Sequence, residues 1–262
     1  MLTSVMPPSR HRSQLEACHD QLRDVASRCG GPETAALVGE AKLLRATLVL
    51  TAGSSLGATA DALVPAAVSI ELLHLASLVH DDIIDEAEKR RGALALHVAL
   101  GRDRALVVGD LLIIGAFNAL SGVPPERYSR CVAALTDGAR RCCVGQLEEL
   151  AGDATATERY LDVAAKKTGS LFATAASLGA LVAGADGRAL ARFGTALGLA
   201  YQIRDDLSDG QTKLASDALY ARARDAARSA LAEVPKPCVD ALAVFLDAVL
   251  DSPAAAAPAG RQ

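Results

Sequence analysis

The chain of 262 residues is poor in aromatic side chains, which make up 3% of it, and it contains no tryptophan. This scarcity argues against an all-β sandwich, because strands favour aromatic and β-branched side chains. It also argues against a protein that binds single-stranded nucleic acid by stacking bases on aromatic rings. A net charge of −4 gives no general attraction to nucleic acid or to an anionic membrane. We therefore expect no nucleic-acid partner.

Paired cysteines and a secretory signal are also missing. The six cysteines form no Cys-X-X-Cys pair, and the N-terminus has no apolar segment typical of a signal peptide. We interpret the cysteines as reduced thiols of a cytoplasmic protein, because disulfides are rare in that compartment. The longest apolar stretches are interrupted by Asp110 and Asn118, or run only over residues 171–185. A spanning helix needs about 20 apolar residues, so we predict no membrane span.

The hydrophobic residues, 51% of the chain, follow helical patterns almost throughout, with no sustained two-residue alternation. Turn signals such as Gly30-Gly31-Pro32 delimit the predicted helices. These helices cover residues 12–28, 33–53, 60–86, 102–120, 125–150, 156–183, 187–208, 213–233 and 236–250. No linker divides the middle, so we predict one all-α domain over residues 1–262, with residues 1–10 and 252–262 disordered.

Two acidic clusters with identical spacing each end an apolar helix. They consist of Asp81, Asp82 and Asp85, and of Asp205, Asp206 and Asp209. The first and third members are four residues apart, so their carboxylates share one helix face about 6 Å apart along the axis. Such like charges repel each other, and the helix dipole adds to the cost. One cluster alone would be an ordinary solvated helix end, but two predict sites where Mg²⁺ or Mn²⁺ binds a diphosphate.

Basic residues near the same helices fit an anionic ligand. Residues 89–91 (Lys-Arg-Arg) follow the first acidic cluster, and Lys42 and Arg45 lie three apart on one predicted helix face. Residues 166–169 (Lys-Lys-Thr-Gly) precede an apolar run. If a helix begins there, a lysine, a hydroxyl and free backbone N–H groups would form a phosphate cradle. Each cation alone has the simpler interpretation of a solvated surface residue.

Together these motifs resemble the trans-isoprenyl diphosphate synthases of the polyprenyl synthetase family. The matching stretches are SLVHDDIIDEAEKRRG, Gly109-Asp110, GQLEEL, KKTGSLF and GLAYQIRDDLSD, all within residues 39–210. The resemblance implies an isoprenoid synthase-type helical bundle around a central cavity, assembled as a homodimer. It implies a Mg²⁺-dependent prenyltransferase of isoprenoid and terpenoid biosynthesis, of the short-chain geranylgeranyl or farnesyl type, that joins isopentenyl diphosphate to an allylic diphosphate.

The resemblance also implies a role for each matching residue. The six aspartates would bind Mg²⁺ and take part in catalysis with Lys167. The residues implied to contact isopentenyl diphosphate are Lys42, Arg45, His74 and Arg91, and those implied to contact the allylic diphosphate are Arg90, Lys167, Thr168 and Gln202. Two departures stand out. Residues 40–46 lack an arginine, at Leu43, and a proline, at Ala46, that the family usually has, and the segment after Asp209 is about twenty residues shorter, with Lys213 its only nearby lysine.

Small residues before the first cluster predict the product length. Ala76 and Ser77 lie about one helical turn below the predicted metals, where family members that stop at fifteen carbons often carry an aromatic ring. The cavity would then continue to Leu73 and Ile70, which predicts geranylgeranyl diphosphate as the product. The alternative is that the two small residues merely let helices pack closely.

Two other functions stay open. A terpene cyclase on the same scaffold would ionise an allylic diphosphate without a second substrate, and the altered 40–46 motif and shortened tail fit it. Against a cyclase, which has no use for isopentenyl diphosphate, stand the retained Lys42, Arg45, His74 and Arg91. A non-catalytic subunit that modulates a synthase is the other alternative, but such a subunit has no need of six aligned carboxylates.

Overall fold

The computed structural model describes residues 11–39, 41–90, 92–152, 156–210 and 214–251, and these residues fold almost entirely into helices. The α-helices are α1 Arg12–Gly30, α2 Pro32–Ala36, α3 Leu44–Ser55, α4 Ala60–Ile84, α5 Leu96–Leu100, α6 Arg102–Ala119, α7 Pro125–Leu150, α8 Thr157–Ala164, α9 Ser170–Val182, α10 Arg188–Asp209, α11 Asp217–Ala230 and α12 Val239–Leu250. Within the described ranges, 3₁₀ turns cover Leu120–Gly122, Leu231–Glu233 and Lys236–Cys238. The predicted all-α class is confirmed.

The continuous helix predicted over residues 33–53 is wrong, because the chain breaks between α2 and α3. Leu43 adopts the left-handed backbone conformation, with φ of 49°, and its side chain is buried. Few non-glycine residues take this conformation, and it ends a helical path. The break lets α3 turn into the interior, where the Glu71 carboxylate accepts a hydrogen bond of 2.8 Å from the Ala46 N–H. A buried carboxylate thus satisfies a donor in the first turn of α3.

The most buried helices form the centre of the bundle. All residues of α3 from Leu44 to Gly53 are buried, and α3 packs against α4 and α9. α4 also packs against α6, and α9 packs against α7 and α10. Gly179 allows the close approach of α9 to α3, since a Cβ there would lie 2.6 Å from the Val49 carbonyl oxygen. This packing fixes the positions of α4 and α10, which carry the two acidic clusters at their C-terminal ends.

A short hairpin follows α4. Its strands are β1 Lys89–Arg90 and β2 Ala93–Leu94, which pair antiparallel with Lys89 opposite Leu94. Gly92 lies in the turn with a φ of 80°, which suits glycine better than any other residue. The hairpin turns the chain back beside the end of α4, so that Arg90 lies next to the first acidic cluster.

Among the described residues, two apolar helical stretches are long enough to cross a membrane, by length and composition alone. In α4, 72% of that stretch is buried inside the fold, as expected for a core helix. In Arg102–Gly122 only 33% is buried, so much of its apolar surface faces outward. Asp110 therefore does not make this helix too polar to cross a membrane, as the sequence analysis assumed. The absence of a membrane span stays a prediction. So does the single domain, while the segments predicted to be disordered, 1–10 and 252–262, lie outside the described residues.

Candidate active site

The first acidic cluster divides into one buried and two accessible carboxylates. The Asp82 side chain is 4% exposed and accepts hydrogen bonds from the Arg90 guanidinium, whose Nε lies 2.9 Å from Oδ1. The Asp81 side chain is 21% exposed, and Asp85 is exposed. Each step along a helix rotates the side chain by about 100°, so the middle member points away from the face of the other two. Asp81 and Asp85 therefore present the cluster's accessible carboxylates.

Lys167 and Glu149 lie beside Asp81. The Lys167 Nζ is 2.6 Å from Glu149 Oε2 and 4.0 Å from Asp81 Oδ1. Burial raises the pKa of Asp81, and Lys167 opposes that rise. The negative charges of Asp85 and Glu149 raise the pKa further. The site thus holds more negative charge than its own cations neutralise, which favours binding of a cation.

Lys167 and Thr168 do not lie at a helix N-terminus, so the predicted phosphate cradle of free backbone N–H groups is wrong. A π-helical segment, Ala165–Gly169, joins α8 directly to α9. The backbone stays helical through this segment, Gly169 included, so the amides stay engaged. Gly145 of α7 allows this wider turn to approach closely, because a Cβ there would lie 2.6 Å from the Lys167 backbone nitrogen. Segments of this kind occur frequently at functional sites.

The π segment sends its two lysines to different partners. Lys166 Nζ binds Glu148 at 2.8 Å and Asp162 at 2.6 Å, while Lys167 binds Glu149. The adjacent pairs Lys166–Glu148 and Lys167–Glu149 are thus similar in chemistry. Only Lys167 also lies near an aspartate cluster.

The second acidic cluster is also divided, but its buried member has neutral partners. Asp206 is 7% exposed, and it accepts hydrogen bonds from Gln202 Nε2 at 2.8 Å and from the Tyr160 hydroxyl at 2.5 Å. Gln202 Oε1 in turn accepts a hydrogen bond of 2.6 Å from the Thr168 hydroxyl. Thr168 and Gln202, both predicted to belong to the allylic site, are thereby connected to the second cluster.

The outer members of the second cluster are accessible. Asp205 forms an ion pair of 3.0 Å with the neighbouring Arg204, and its side chain is 35% exposed. Asp209 is exposed at the last residue of α10, and the Ser208 hydroxyl donates to its Oδ1 at 3.3 Å.

Glu149 connects the two clusters electrostatically. Its charge raises the pKa of Asp206 as well as that of Asp81, although burial is the main cause for each carboxyl. Both clusters therefore lie within the field of one carboxylate. The sequence prediction missed Glu149, even though the residue lies in the GQLEEL stretch that carries the resemblance. It also missed Tyr160, which has no motif of its own.

The donor set fits Mg²⁺ shared with a diphosphate better than a metal cage made of protein alone. Carboxylate oxygens are hard ligands of the kind Mg²⁺ prefers. In the described part of the chain, no three acidic, histidine or cysteine side chains are grouped closely enough to hold a metal. Mg²⁺ typically takes one or two carboxylates and completes its shell with waters and substrate phosphates. The accessible aspartates are suited to that arrangement.

The residues predicted to contact isopentenyl diphosphate are only partly gathered here. Arg45 is 8% exposed, and its guanidinium lies 4.7 Å from the centre of the Phe172 ring. Lys42 is exposed, and His74 is half-buried on α4. Arg91 and Lys213 lie outside the described residues.

Cys142 is a further neighbour of the site that the sequence did not indicate. Burial raises the pKa of its thiol to about 12, and the charge of Asp81 adds to the rise. Arg45 and Lys167 act in the opposite direction. Cys142 thus lies within the electrostatic field of side chains from α3, α4 and the π segment.

The predicted chain-length residues have different environments. Ile70, Leu73 and Ala76 are buried in the hydrophobic core, and Ala76 is only 1% exposed. Ser77 is partly exposed, and its hydroxyl donates a hydrogen bond of 2.7 Å to the His74 carbonyl oxygen. A larger side chain therefore has more room at position 77 than at position 76.

Comparison with known proteins agrees with the motifs. The family model described as polyprenyl synthetase matches residues 33–231. The chain is 36% identical over 176 residues to the geranylgeranyl diphosphate synthase of Methanosarcina mazei, covering 64% of this chain and 54% of that protein. It is 37% identical over 186 residues to the geranylgeranyl pyrophosphate synthase of Geoglobus acetivorans, covering 67% and 58%. The chain thus spans a little over half the length of these curated relatives.

Structural comparison also finds a prenyl synthetase, and it matches a larger share of the chain than the sequence comparison does. The solved geranylgeranyl pyrophosphate synthetase of Geoglobus acetivorans superposes with a TM-score of 0.77 at 25% sequence identity. That superposition covers 93% of this chain and 100% of the solved one. With the family match extending over most of its length, and with both aspartate motifs in place, the chain belongs to the polyprenyl synthetase family.

Proposed function

We propose that the protein is a Mg²⁺-dependent trans-prenyltransferase that condenses isopentenyl diphosphate with an allylic diphosphate to give geranylgeranyl diphosphate. The observation that carries the proposal is the pair of aspartate clusters within the field of Glu149, with Lys167 bound between Glu149 and Asp81. Two sets of accessible carboxylates and one cation suit a metal-bound diphosphate. The names of the relatives support this class of substrate.

In this mechanism, the chain's own residues hold and orient the allylic diphosphate. Lys167 and Arg90 donate to its oxygens, and Asp81 and Asp205 would hold Mg²⁺. Bound there with the diphosphate, Mg²⁺ would supply neutralisation of the charge that develops on the leaving oxygens as the C–O bond breaks. The apolar walls of α4 and α9 exclude water, which would otherwise capture the allylic cation.

The isopentenyl diphosphate lies on the side of Arg45, together with Lys42 and His74, and the sequence motif gives Arg91 the same role. Its double bond attacks the allylic cation, and the proton that is then lost goes to the departing pyrophosphate, so no side-chain nucleophile is required. The Phe172 ring below Arg45 holds the guanidinium in place through a cation–π contact.

We assign product length to the helix below Asp81, and to Ser77 in particular, because Ser77 is partly exposed whereas Ala76 is buried. We expect Ser77→Phe to shorten the main product by one isoprene unit, because its side chain extends from a partly exposed position. Ala76→Phe is the matched comparison. Its side chain would enter the packed core and destabilise the fold by about 1–3 kcal/mol. Mass spectrometry of products and thermal denaturation of both variants separate the two effects, and an unchanged product from a folded Ser77→Phe protein would contradict this assignment.

The apolar surface of α6 fits a homodimer interface. Val107, Leu111 and Ile114 are all exposed, and their spacing of four and three residues places them on one helix face. A second copy of the chain would cover this face. Light scattering should then give twice the mass of one chain, and Ile114→Glu should give monomers. A monomeric parent protein that partitions into detergent would instead favour a membrane contact.

The cytoplasmic location rests on the six free cysteines.

The direct test is incubation with isopentenyl diphosphate, each allylic diphosphate in turn and Mg²⁺, with products identified by mass spectrometry. We expect consumption of both substrates and a longer prenyl diphosphate, and no turnover in EDTA. Formation of a cyclic hydrocarbon from the allylic substrate alone would identify a terpene cyclase, a possibility that the altered 40–46 motif raises. No turnover of any substrate would favour a non-catalytic subunit.

A further inference from the structure

Tyr160 makes a contact that the mechanism above does not use. It lies on α8, half-buried, and its hydroxyl is 2.5 Å from Oδ2 of Asp206, which is 46 residues away in the chain. Asp206 is 7% exposed, so this hydrogen bond is shielded from water. A buried hydrogen bond to a charged group is stronger than an exposed one between neutral groups.

The two oxygens of Asp206 have different donors on different helices. Gln202, one turn earlier on α10, donates to Oδ1, and Tyr160 on α8 donates to Oδ2. The Gln202 amide cannot rotate without losing the hydrogen bond that its oxygen accepts from Thr168. With one donor fixed on each oxygen, the carboxylate is held in one orientation. Each oxygen keeps a further lone pair, because a carboxylate accepts about four hydrogen bonds in total.

Neutral donors leave the negative charge of Asp206 available. At the first cluster, Arg90 binds Asp82 and cancels its charge. At the second cluster, the phenol and the amide bring no charge, and the nearby ionised groups, Asp205 and Glu149, are negative. The Asp206 carboxylate is therefore held in a fixed orientation, as Asp82 is by its salt bridge. Unlike that of Asp82, its negative charge is not cancelled by its partners and can attract a cation.

We propose that Tyr160 is a positioning residue, whose hydroxyl fixes the Asp206 carboxylate in the orientation in which it receives a metal-bound diphosphate. The proposal rests on the proposed function for the identity of that ligand. Hydrogen bonds of this kind to metal-ligating carboxylates typically change metal affinity by 10- to 100-fold when they are removed.

Tyr160→Phe removes only the hydroxyl, and Tyr220→Phe is its matched control. Tyr220 also donates a hydrogen bond from its hydroxyl, of 2.8 Å, but to the Leu250 carbonyl oxygen, between α11 and α12. Both variants lose one partly buried hydrogen bond from a tyrosine hydroxyl, so Tyr220→Phe controls for the loss of such a bond away from the acidic clusters. Only Tyr160→Phe should change the response to metal.

The measurement is the rise in melting temperature that inorganic pyrophosphate causes in the full chain, titrated with Mg²⁺. We expect Tyr160→Phe to need 10- to 100-fold more Mg²⁺ for half of that rise, and Tyr220→Phe to match the parent protein. A Mg²⁺ midpoint for Tyr160→Phe within twofold of the parent would overturn the role of Tyr160. A parent protein that Mg²⁺ and pyrophosphate do not stabilise at all would instead overturn the proposed function.

A double-variant comparison tests whether Tyr160 acts through Asp206. In an Asp206→Asn background, Tyr160→Phe should cause no further increase in the Mg²⁺ midpoint, because the carboxylate that it orients is gone. If the two changes weaken the Mg²⁺ response independently, Tyr160 acts by another route and the proposal is wrong.

Discussion

The two aspartate clusters have the same spacing in sequence but different partners in the fold. In each cluster the middle aspartate is the buried one: measured over the whole residue, Asp82 is 3% exposed and Asp206 is 7% exposed. Asp82 is neutralised by the Arg90 guanidinium, whereas Asp206 is held by a phenol and an amide. Helical geometry thus determines which member turns inward, while residues far away in sequence determine whether its charge is kept. Identical motifs are therefore not identical sites.

The largest expected effect is a difference in activity between variants of Asp81, an outer member of the first cluster, and of Asp82, its middle member. Asp81→Asn should lower kcat/KM by about a thousandfold or more, since a lost metal ligand costs several kcal/mol of transition-state stabilisation. Its melting temperature should stay level or rise, because the cost of burying the charged carboxylate and its repulsion from Asp85 and Glu149 are relieved, against the loss of its attraction to Lys167.

Asp82→Asn should instead lose stability, by about 1–3 kcal/mol, because Arg90 is left without its carboxylate. Steady-state kinetics and urea denaturation of both variants test this division. If Asp82→Asn is as stable as the parent and Asp81→Asn is not, the two roles have been exchanged.

The next effect concerns Glu149, the neighbour that both clusters share. In EDTA, Glu149→Gln should bind inorganic pyrophosphate about fivefold more tightly, because Lys167 is released and one repelling charge is removed. Glu148→Gln is the matched control, since Glu148 binds Lys166 instead. Isothermal titration calorimetry measures both. Equal gains for the two variants would mean that only the net charge matters and that Glu149 has no special position.

Much of this arrangement could be predicted from the sequence, and the rest could not for physical reasons. The spacing of residues along the chain was sufficient to predict most of the helices and the accessible pair of aspartates in each cluster. The Tyr160–Asp206 hydrogen bond depends on how α8 packs against α10, for which no local pattern exists. The break at Leu43 and the π segment at residues 165–169 are backbone states that tertiary packing stabilises against local helix propensity. Side-chain periodicity therefore predicted simple continuous helices at both places.

The smallest effect is the pH dependence of the metal-free protein. Burial is the main cause that raises the pKa of both Asp81 and Asp206. As the pH falls towards these raised values, the folded state takes up protons that the unfolded state does not, so the free energy of unfolding should rise. Urea denaturation in EDTA over the acidic range checks this, and Asp81→Asn should show a smaller rise. A parent protein that only loses stability throughout that range would contradict it.

The central claim is that both clusters hold metal around one diphosphate. The most direct measurement counts Mn²⁺ bound per chain by electron paramagnetic resonance, with and without inorganic pyrophosphate, in the parent, Asp81→Asn and Asp205→Asn. We predict weak binding without pyrophosphate, more than one ion with it, and a reduced count in each variant. Tight Mn²⁺ binding without pyrophosphate, or an unchanged count in either variant, would contradict the claim.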